Sequence, residues 1–343
     1  MKKYINSLFL FLLFILCAAC KNTNVLDITQ NVTKIDGNLL LMDCLVGRPY
    51  NITTIDTLLI FYDYTYDGKL VTVYDMKNNK CMGRFVSEGN GPNEMLPPLS
   101  ILRYPQKDKL FAFNDDLRSL FVFEVPSMNI QNKILFPSEG LPKMLGKMKD
   151  YYVAMGYWEK GRFGIYDREA NLLRTDGKYP FRGEQMGEVQ SFFTYQGQIT
   201  TNPNDNYFAI GSSFSDNIEF YEVKADSTVL LNKYESFDAK VQYYERGEAR
   251  GIHIEDDCIN TYVWSYGTDK YCYMLYSGKE NSEENSNMGN KIVVFDWTGN
   301  YIKTLETSSD VRTFCVDESN SNIYGIVKTD DGEFGIMHFN FTI

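Results

Sequence analysis

A short pattern recurs along this chain: an apolar run that ends in an aromatic residue followed by an acid. It reads Val73-Tyr74-Asp75, Val122-Phe123-Glu124, Ile165-Tyr166-Asp167, Phe220-Tyr221-Glu222 and Val294-Phe295-Asp296, with a degenerate sixth copy at His338-Phe339-Asn340. The last positions of successive copies lie 49, 43, 55, 74 and 44 residues apart. Self-similarity at this period indicates a ring of small sheets rather than one continuous sheet. The one long gap contains the polar, acid-rich stretch 277–290, read as an enlarged loop.

Each copy is preceded by a second apolar run, at 58–62, 110–114, 151–155, 207–211, 271–276 and 323–327. Most are followed by a third run after a turn such as Lys77-Asn78-Asn79 or Trp297-Thr298-Gly299-Asn300. The first two runs are apolar on consecutive residues, as strands covered on both faces must be. The third, as in Tyr301-Ile302-Lys303-Thr304-Leu305, is more polar and belongs at a rim. No stretch sustains a helical period. These features predict an all-β, six-bladed β-propeller of four-stranded antiparallel blades, formed by residues 32–343 as a single domain. In each blade we letter the strands a to d from the axis outward. The chain stops before a sixth d strand could form, so residues 34–41, lying before the first b strand, are expected to complete the last blade and remove an exposed sheet edge. The repeated acids stand at turn entrances, where a carboxylate accepts backbone N–H bonds, and are read as structural.

Lys2 and Lys3 precede an apolar stretch, 5–16, too short for a comfortable membrane span, as in an export signal. Residues 1–19 are expected to be removed and Cys20, after Ala18-Ala19, to carry the lipid; residues 20–31 then form a tether. Loss of Cys17 and acylation of Cys20 leave Cys44, Cys81, Cys258, Cys272 and Cys315, whose spacing indicates neither a disulfide framework nor a zinc ribbon. Lys and Arg number 34 against 45 Asp and Glu, and the net charge of -11 argues against nucleic acid as a partner. The two histidines, His253 and His338, are too far apart for a local zinc-protease motif.

The stretches Glu88-Gly89-Asn90-Gly91-Pro92-Asn93-Glu94 and Thr268-Asp269-Lys270-Tyr271-Cys272-Tyr273-Met274-Leu275-Tyr276-Ser277-Gly278 resemble the blade junction and a strand of the TolB-like six-bladed β-propeller lipoproteins of bacterial envelopes. The resemblance implies this architecture and a lipid-anchored envelope location, expected at the outer membrane, more than any activity. Physically, the glycines of the first stretch suit a hinge between one blade's d strand and the next blade's a strand.

In such a ring the b–c and d–a connections gather on one face, where binding residues concentrate. Candidate ligand-binding residues there are Trp158, Asp115, Asp116, Arg118, Arg182 and Arg250, with Trp158 and neighbouring tyrosines as stacking platforms for a glycan or peptide. Asp63, Asp67, Asp216, Glu283, Glu284, Asp330 and Asp331 add carboxylates to the same face. The alternative reading is a metal-assisted hydrolase or lyase at the channel mouth, with His253 as proton shuttle, Glu255 and Asp257 on the same extended face, and Ca2+ held in the central channel. A third is a platform for another envelope protein, with the loop 279–290 ordering on contact. Of these, a ligand-binding or protein-interaction propeller that performs no chemistry is the expected function, with the membrane reached through Cys20.

Overall fold

The computed structural model describes residues 25–44, 46–64, 67–89, 91, 94–102, 107–180, 187–247 and 249–343. The first blade is Arg48–Ile55, Leu58–Tyr64, Lys69–Asp75 and Lys80–Glu88. The second is Ser100–Leu102, Lys109–Asn114, Ser119–Glu124 and Ile130–Leu135. The third is Met144–Lys147, Tyr152–Met155, Phe163–Tyr166 and Leu172–Asp176. The fourth is Gly197–Thr201, Tyr207–Ser212, Asn217–Val223 and Thr228–Glu235. All four are antiparallel meanders.

The fifth and sixth blades share one eight-stranded sheet. Ile259–Gly267, Tyr271–Glu280 and Gly289–Asp296 lead into Tyr301–Val316, a single strand of 16 residues. Its first part pairs back with Gly289–Asp296 as the fifth d strand, and its last part pairs with Asn322–Lys328 as the sixth a strand. Phe334–Asn340 follows as strand c. The sixth d strand is Gly37–Leu39, antiparallel to Phe334–Asn340 in the register Gly37↔Phe339. The closure expected for residues 34–41 is therefore present. The innermost strands touch their neighbours in sequence around the ring, and the sixth a strand returns to Arg48–Ile55.

Burial follows the chain pattern. In Leu58–Tyr64 and Lys69–Asp75 five consecutive residues are buried, because neighbouring blades cover both faces. Aromatic rings fill the wedges between blades: Phe136 stands edge-on to Phe113, Tyr152 and Tyr166 between the second and third. A fully buried ring of this kind is worth about 2–3 kcal/mol of apolar transfer. Three of the five repeated acids act as turn caps, whereas Glu124 accepts from Ser127 Oγ and Glu222 pairs with Lys224. Asp75, Asp167 and Asp296 each accept bonds from two backbone N–H groups of the following turn and from an Asn side chain.

Four sequence expectations need correction. The segment before residue 32 is no free tether where it is described: Leu26 and Ile28 pack on the fifth-blade side, and Asn31 bonds the backbone of Ile302 and Thr304. Val32–Ile35 then runs parallel to Tyr301–Val316, adding a further strand to the fifth blade. Although the spacing indicated no disulfide framework, Cys44 and Cys81 form a disulfide, while Cys258, Cys272 and Cys315 are free and buried. Finally, the long repeat gap owes much of its length to a separate hairpin, Val241–Arg246 with Ala249–Ile254.

At the first blade junction, a Cβ on Gly89 would lie 2.0 Å from the Glu94 carboxylate, and Gly91 N–H donates to that carboxylate at 2.9 Å. Gly89, at φ +152°, takes a conformation other residues rarely adopt.

Candidate functional site

Chain direction places every d–a and b–c connection on one face. The two largest d–a insertions lie side by side there: the short helix Glu188–Thr194, between blades three and four, contacts the strand Ala249–Ile254 of the hairpin between blades four and five. This lobe presents Tyr243 and Tyr244, each 46% exposed. The sequence placed Arg182 and Arg250 in these two d–a connections but gave no sign of the helix or the hairpin; the hairpin's run of Gln, Tyr, Glu and Arg lacks apolar alternation, and the helix is only 7 residues long.

Between the third and fourth blades sits a buried charge pair that sequence reading missed. Arg162, fully buried, donates to Glu219 and reaches Asn217 Oδ1 at 3.3 Å, Ser212 Oγ at 3.1 Å and the Tyr195 carbonyl at 3.4 Å. Tyr221 donates to the same Glu219 oxygen at 2.8 Å. Burial and the adjacent Glu219 charge push the Tyr221 phenol well above its ordinary range. Arg162 Nε and Asn217 Nδ2 are buried without a hydrogen-bond partner. The pair fixes how blades three and four meet beneath the face.

Along the axis, the innermost strands of blades one to five enclose a cavity of about 210 Å³. Its wall includes Asn51, Thr53, Ser100, Gln198, Thr200, Ser265 and Trp264, with Trp264 Nε1 donating to the Phe314 carbonyl at 2.9 Å. Thr53 Oγ1 and Tyr266 Oη bond at 3.0 Å between blades one and five. Lys147 is the one charged residue among the described lining residues, and its ammonium lies 4.8 Å from the Tyr152 ring centroid and 5.7 Å from that of Phe111. Burial pushes this ammonium down to about 8. A calcium ion in the channel would meet amide, hydroxyl and backbone oxygens but no carboxylate among these described residues, so the wall does not fit the ion expected there.

The candidates named from sequence are dispersed. Trp158 is 2% exposed and offers no open stacking face: a Cβ on Gly140 would lie 2.1 Å from its ring, and one on Gly164 2.6 Å. Small residues on the adjoining loop and strand made room to bury it, which its loop position did not reveal. Asp115 is paired with Lys143 at 2.9 Å, and Asp116 is 3.9 Å from the same ammonium. Hydrogen bonding to Asp115 raises the Lys143 pKa. Arg118 takes a left-handed backbone in that loop, its N–H donating to the Asp115 carbonyl. Asp63 and Asp67 are both held by Arg84, so they serve the first blade. Arg182 and Cys20 lie outside the described residues, and Arg250 is placed by its backbone in the hairpin opposite Glu245.

The hydrolytic trio does not assemble. His253 is exposed on the hairpin opposite Gln242; the strand ends at Ile254, and a turn from Glu255 to Cys258 breaks the extended face on which the three were to align. Glu255 accepts from Gln242 at 3.3 Å, and Asp257 pairs with Lys240 at 2.5 Å. Among the described residues, the one cluster of three metal-ligating types is Asp43 with Cys44 and Cys81, and those two sulfurs are bonded to each other. The polar loop after strand b of blade five is already built: that strand runs to Glu280, Met288 is buried, and Lys328 pairs with Glu284 at 3.0 Å.

Six radial blades, the last completed by an N-terminal strand, define a β-propeller with its connections raised on one face. The chain belongs to the TolB-like 6-blade propeller-like family, which it matches over residues 29–319. Among solved structures, a Bacteroides fragilis protein inferred to be exported superposes with a TM-score of 0.57 at 11% identity, covering 91% of this chain and 99% of its own. The U3-55K structure superposes at 0.51 with 6% identity, covering 89% and 98%. The β-propeller domain of Myceliophteria thermophila Cps50 (Swd1) does so at 0.50 with 10% identity, covering 89% and 100%. Identities this low speak to the fold alone. No curated protein matches the sequence.

Proposed function

We propose that this protein is an envelope lipoprotein, held to the membrane through Cys20, whose d–a and b–c face binds a ligand or partner without performing chemistry on it. The observation that carries the reading is the helix–hairpin lobe: two insertions that the ring does not need for closure meet on one face and hold Tyr243 and Tyr244 in solvent. Tyrosines at such positions supply flat, amphipathic contact area for a sugar ring or a peptide. The wall of hydroxyl and amide groups beneath that face, with the single charge of Lys147, suits hydrogen bonding. The Cys44–Cys81 bond supports an oxidising compartment, as does the likeness in fold to the Bacteroides protein inferred to be exported.

Two measurements test this. Glycan and peptide arrays probed with purified protein should give hits that a Tyr243→Ala, Tyr244→Ala double variant loses while melting as the wild type does; hits unchanged in the variant would move the site elsewhere. Incorporation of labelled palmitate should vanish in Cys20→Ala, and equal labelling would remove the anchor.

A further inference from the structure

Two innermost strands carry a β-bulge at the same height, and the bulged residues meet. In Arg48–Ile55 the register slips between Pro49 and Asn51, leaving Tyr50 as the extra residue; in Tyr301–Val316 it slips between Val311 and Thr313, leaving Arg312. A bulge turns its residue out of the strand's alternation. Here the two adjoining blades aim theirs at one another, with the Arg312 guanidinium 4.5 Å from the Tyr50 ring centroid and 5.2 Å from that of Phe334. Tyr50 lies near the start of its strand, and Arg312 directly follows Val311, where the part of Tyr301–Val316 serving as the sixth a strand begins its pairing, so both are on the d–a side; Tyr50 directly precedes Asn51 of the cavity wall. The contact therefore sits at the channel rim on the face already described.

The chain carries 45 acids against 34 basic residues, yet among the described residues no carboxylate or hydrogen-bond acceptor is placed on Arg312. Asp310, two residues away, is engaged by Lys279 at 2.5 Å. A guanidinium packed on aromatic rings uses the faces of its plane and keeps its N–H edge for an acceptor lying in that plane. Tyr50 is itself held against Tyr62, ring centroids 5.8 Å apart, which fixes the platform. A planar, pre-oriented donor edge is what bidentate recognition of a carboxylate requires.

We propose that Arg312, braced by Tyr50 and Phe334, is a carboxylate-binding subsite at the channel rim, so that the ligand of this face carries a carboxylate, as a uronic sugar or a peptide C-terminus does. This rests on the reading of the face as a ligand-binding surface and names the chemistry it selects.

The test uses the full folded domain and ligand-detected saturation-transfer NMR, with Trp264 fluorescence as a second readout. The probes are glucuronate against glucose, and triglycine against triglycine amide; the two pairs separate a sugar acid from a peptide terminus. The expected result is binding of at least one acid probe, weaker by tenfold or more for its neutral counterpart. Arg312→Gln should lose the acid probe by tenfold or more with its melting temperature kept. Arg312→Lys, which retains the charge without the planar fork, should lose most of the affinity too and guards against a folding defect in the first variant. Binding of neither acid, or equal binding by wild type and Arg312→Gln, overturns the subsite. Array hits that depend on Tyr243 and Tyr244 but not on Arg312 would overturn it while leaving the binding function in place.

Discussion

Cys44, just after the ring-closing strand, is bonded to Cys81 at the start of the first blade's outer strand, with Cα atoms 5.4 Å apart. The N-terminal segment is thus tied in three directions: parallel to the fifth d strand, antiparallel to the sixth c strand, and covalently to the first blade. The bond spans 37 residues, and closing a loop of that length restricts the unfolded chain by about 3–4 kcal/mol. A Cys44→Ser, Cys81→Ser double variant should lose about 3–4 kcal/mol of unfolding free energy in guanidinium titrations, and added reductant should shift the wild type but not the variant. Coincident midpoints would show that the ring closes as well without the bond.

Arg162 and Glu219 form a pair that neither partner tolerates losing alone. Arg162→Met leaves a buried carboxylate uncompensated, an effect of about 3–5 kcal/mol. Adding Glu219→Leu should recover much of the loss, because a buried ion pair contributes little over apolar packing. A double-mutant cycle by chemical denaturation reads this directly; strictly additive losses would mean that the two charges do not act together.

Lys147 sets an alkaline response. Its folded pKa of about 8 lies below the value near 10.4 expected for the unfolded chain, so between those pH values the unfolded state binds more protons. Stability from this group therefore rises as pH goes from 8 towards 10, and below pH 8 the cost of the buried cation is constant. Relative to wild type, Lys147→Met should be favoured at pH 7 and lose on the order of 1 kcal/mol of that advantage by pH 9.5. A difference in melting temperature independent of pH would contradict the assignment.

Asp296 accepts from Thr298 N–H and Oγ1 and from Asn300 N–H and Nδ2, at 2.7 to 3.0 Å. Burial alone would raise its pKa, but these bonds outweigh it and hold the carboxyl below the usual range. Its stabilisation is complete above the unfolded carboxylate pKa and is lost as pH falls through the lower folded value. Asp296→Ala should cost about 1–2 kcal/mol at pH 7, and the difference from wild type should shrink on acidification below pH 4. A constant difference down to pH 2 would sink the capping role.

The ring was legible because its signals are local. A c strand covered on both faces is apolar over most of its length, and the turn after it favours an acid, so Asp75, Asp167 and Asp296 recur with the blades. The closing strand was legible because the Leu-rich stretch 34–41 precedes the first b strand with no blade of its own to join. What escaped was tertiary. Cys44 and Cys81 become neighbours only when the ring seam forms, and no spacing rule announces that. Trp158 stands on a loop, where exposure is the ordinary expectation; its burial depends on Gly140 and Gly164, which fit it only in three dimensions. Arg312 and Tyr50 sit in strands whose bulges shift the register by one residue, a slip that sequence alternation does not show.

The unbroken strand Tyr301–Val316 has a consequence for how the ring can flex. Because one backbone is both the d strand of the fifth sector and the innermost strand of the sixth, these two sectors are mechanically one plate, and shear between them would have to break a continuous ladder. Breathing of the ring then concentrates at the seams joined by ordinary loops, from blade one through blade five, while the rim on either side of Arg312 joins the stiff sixth sector to a first blade held to it through Cys44 and Cys81.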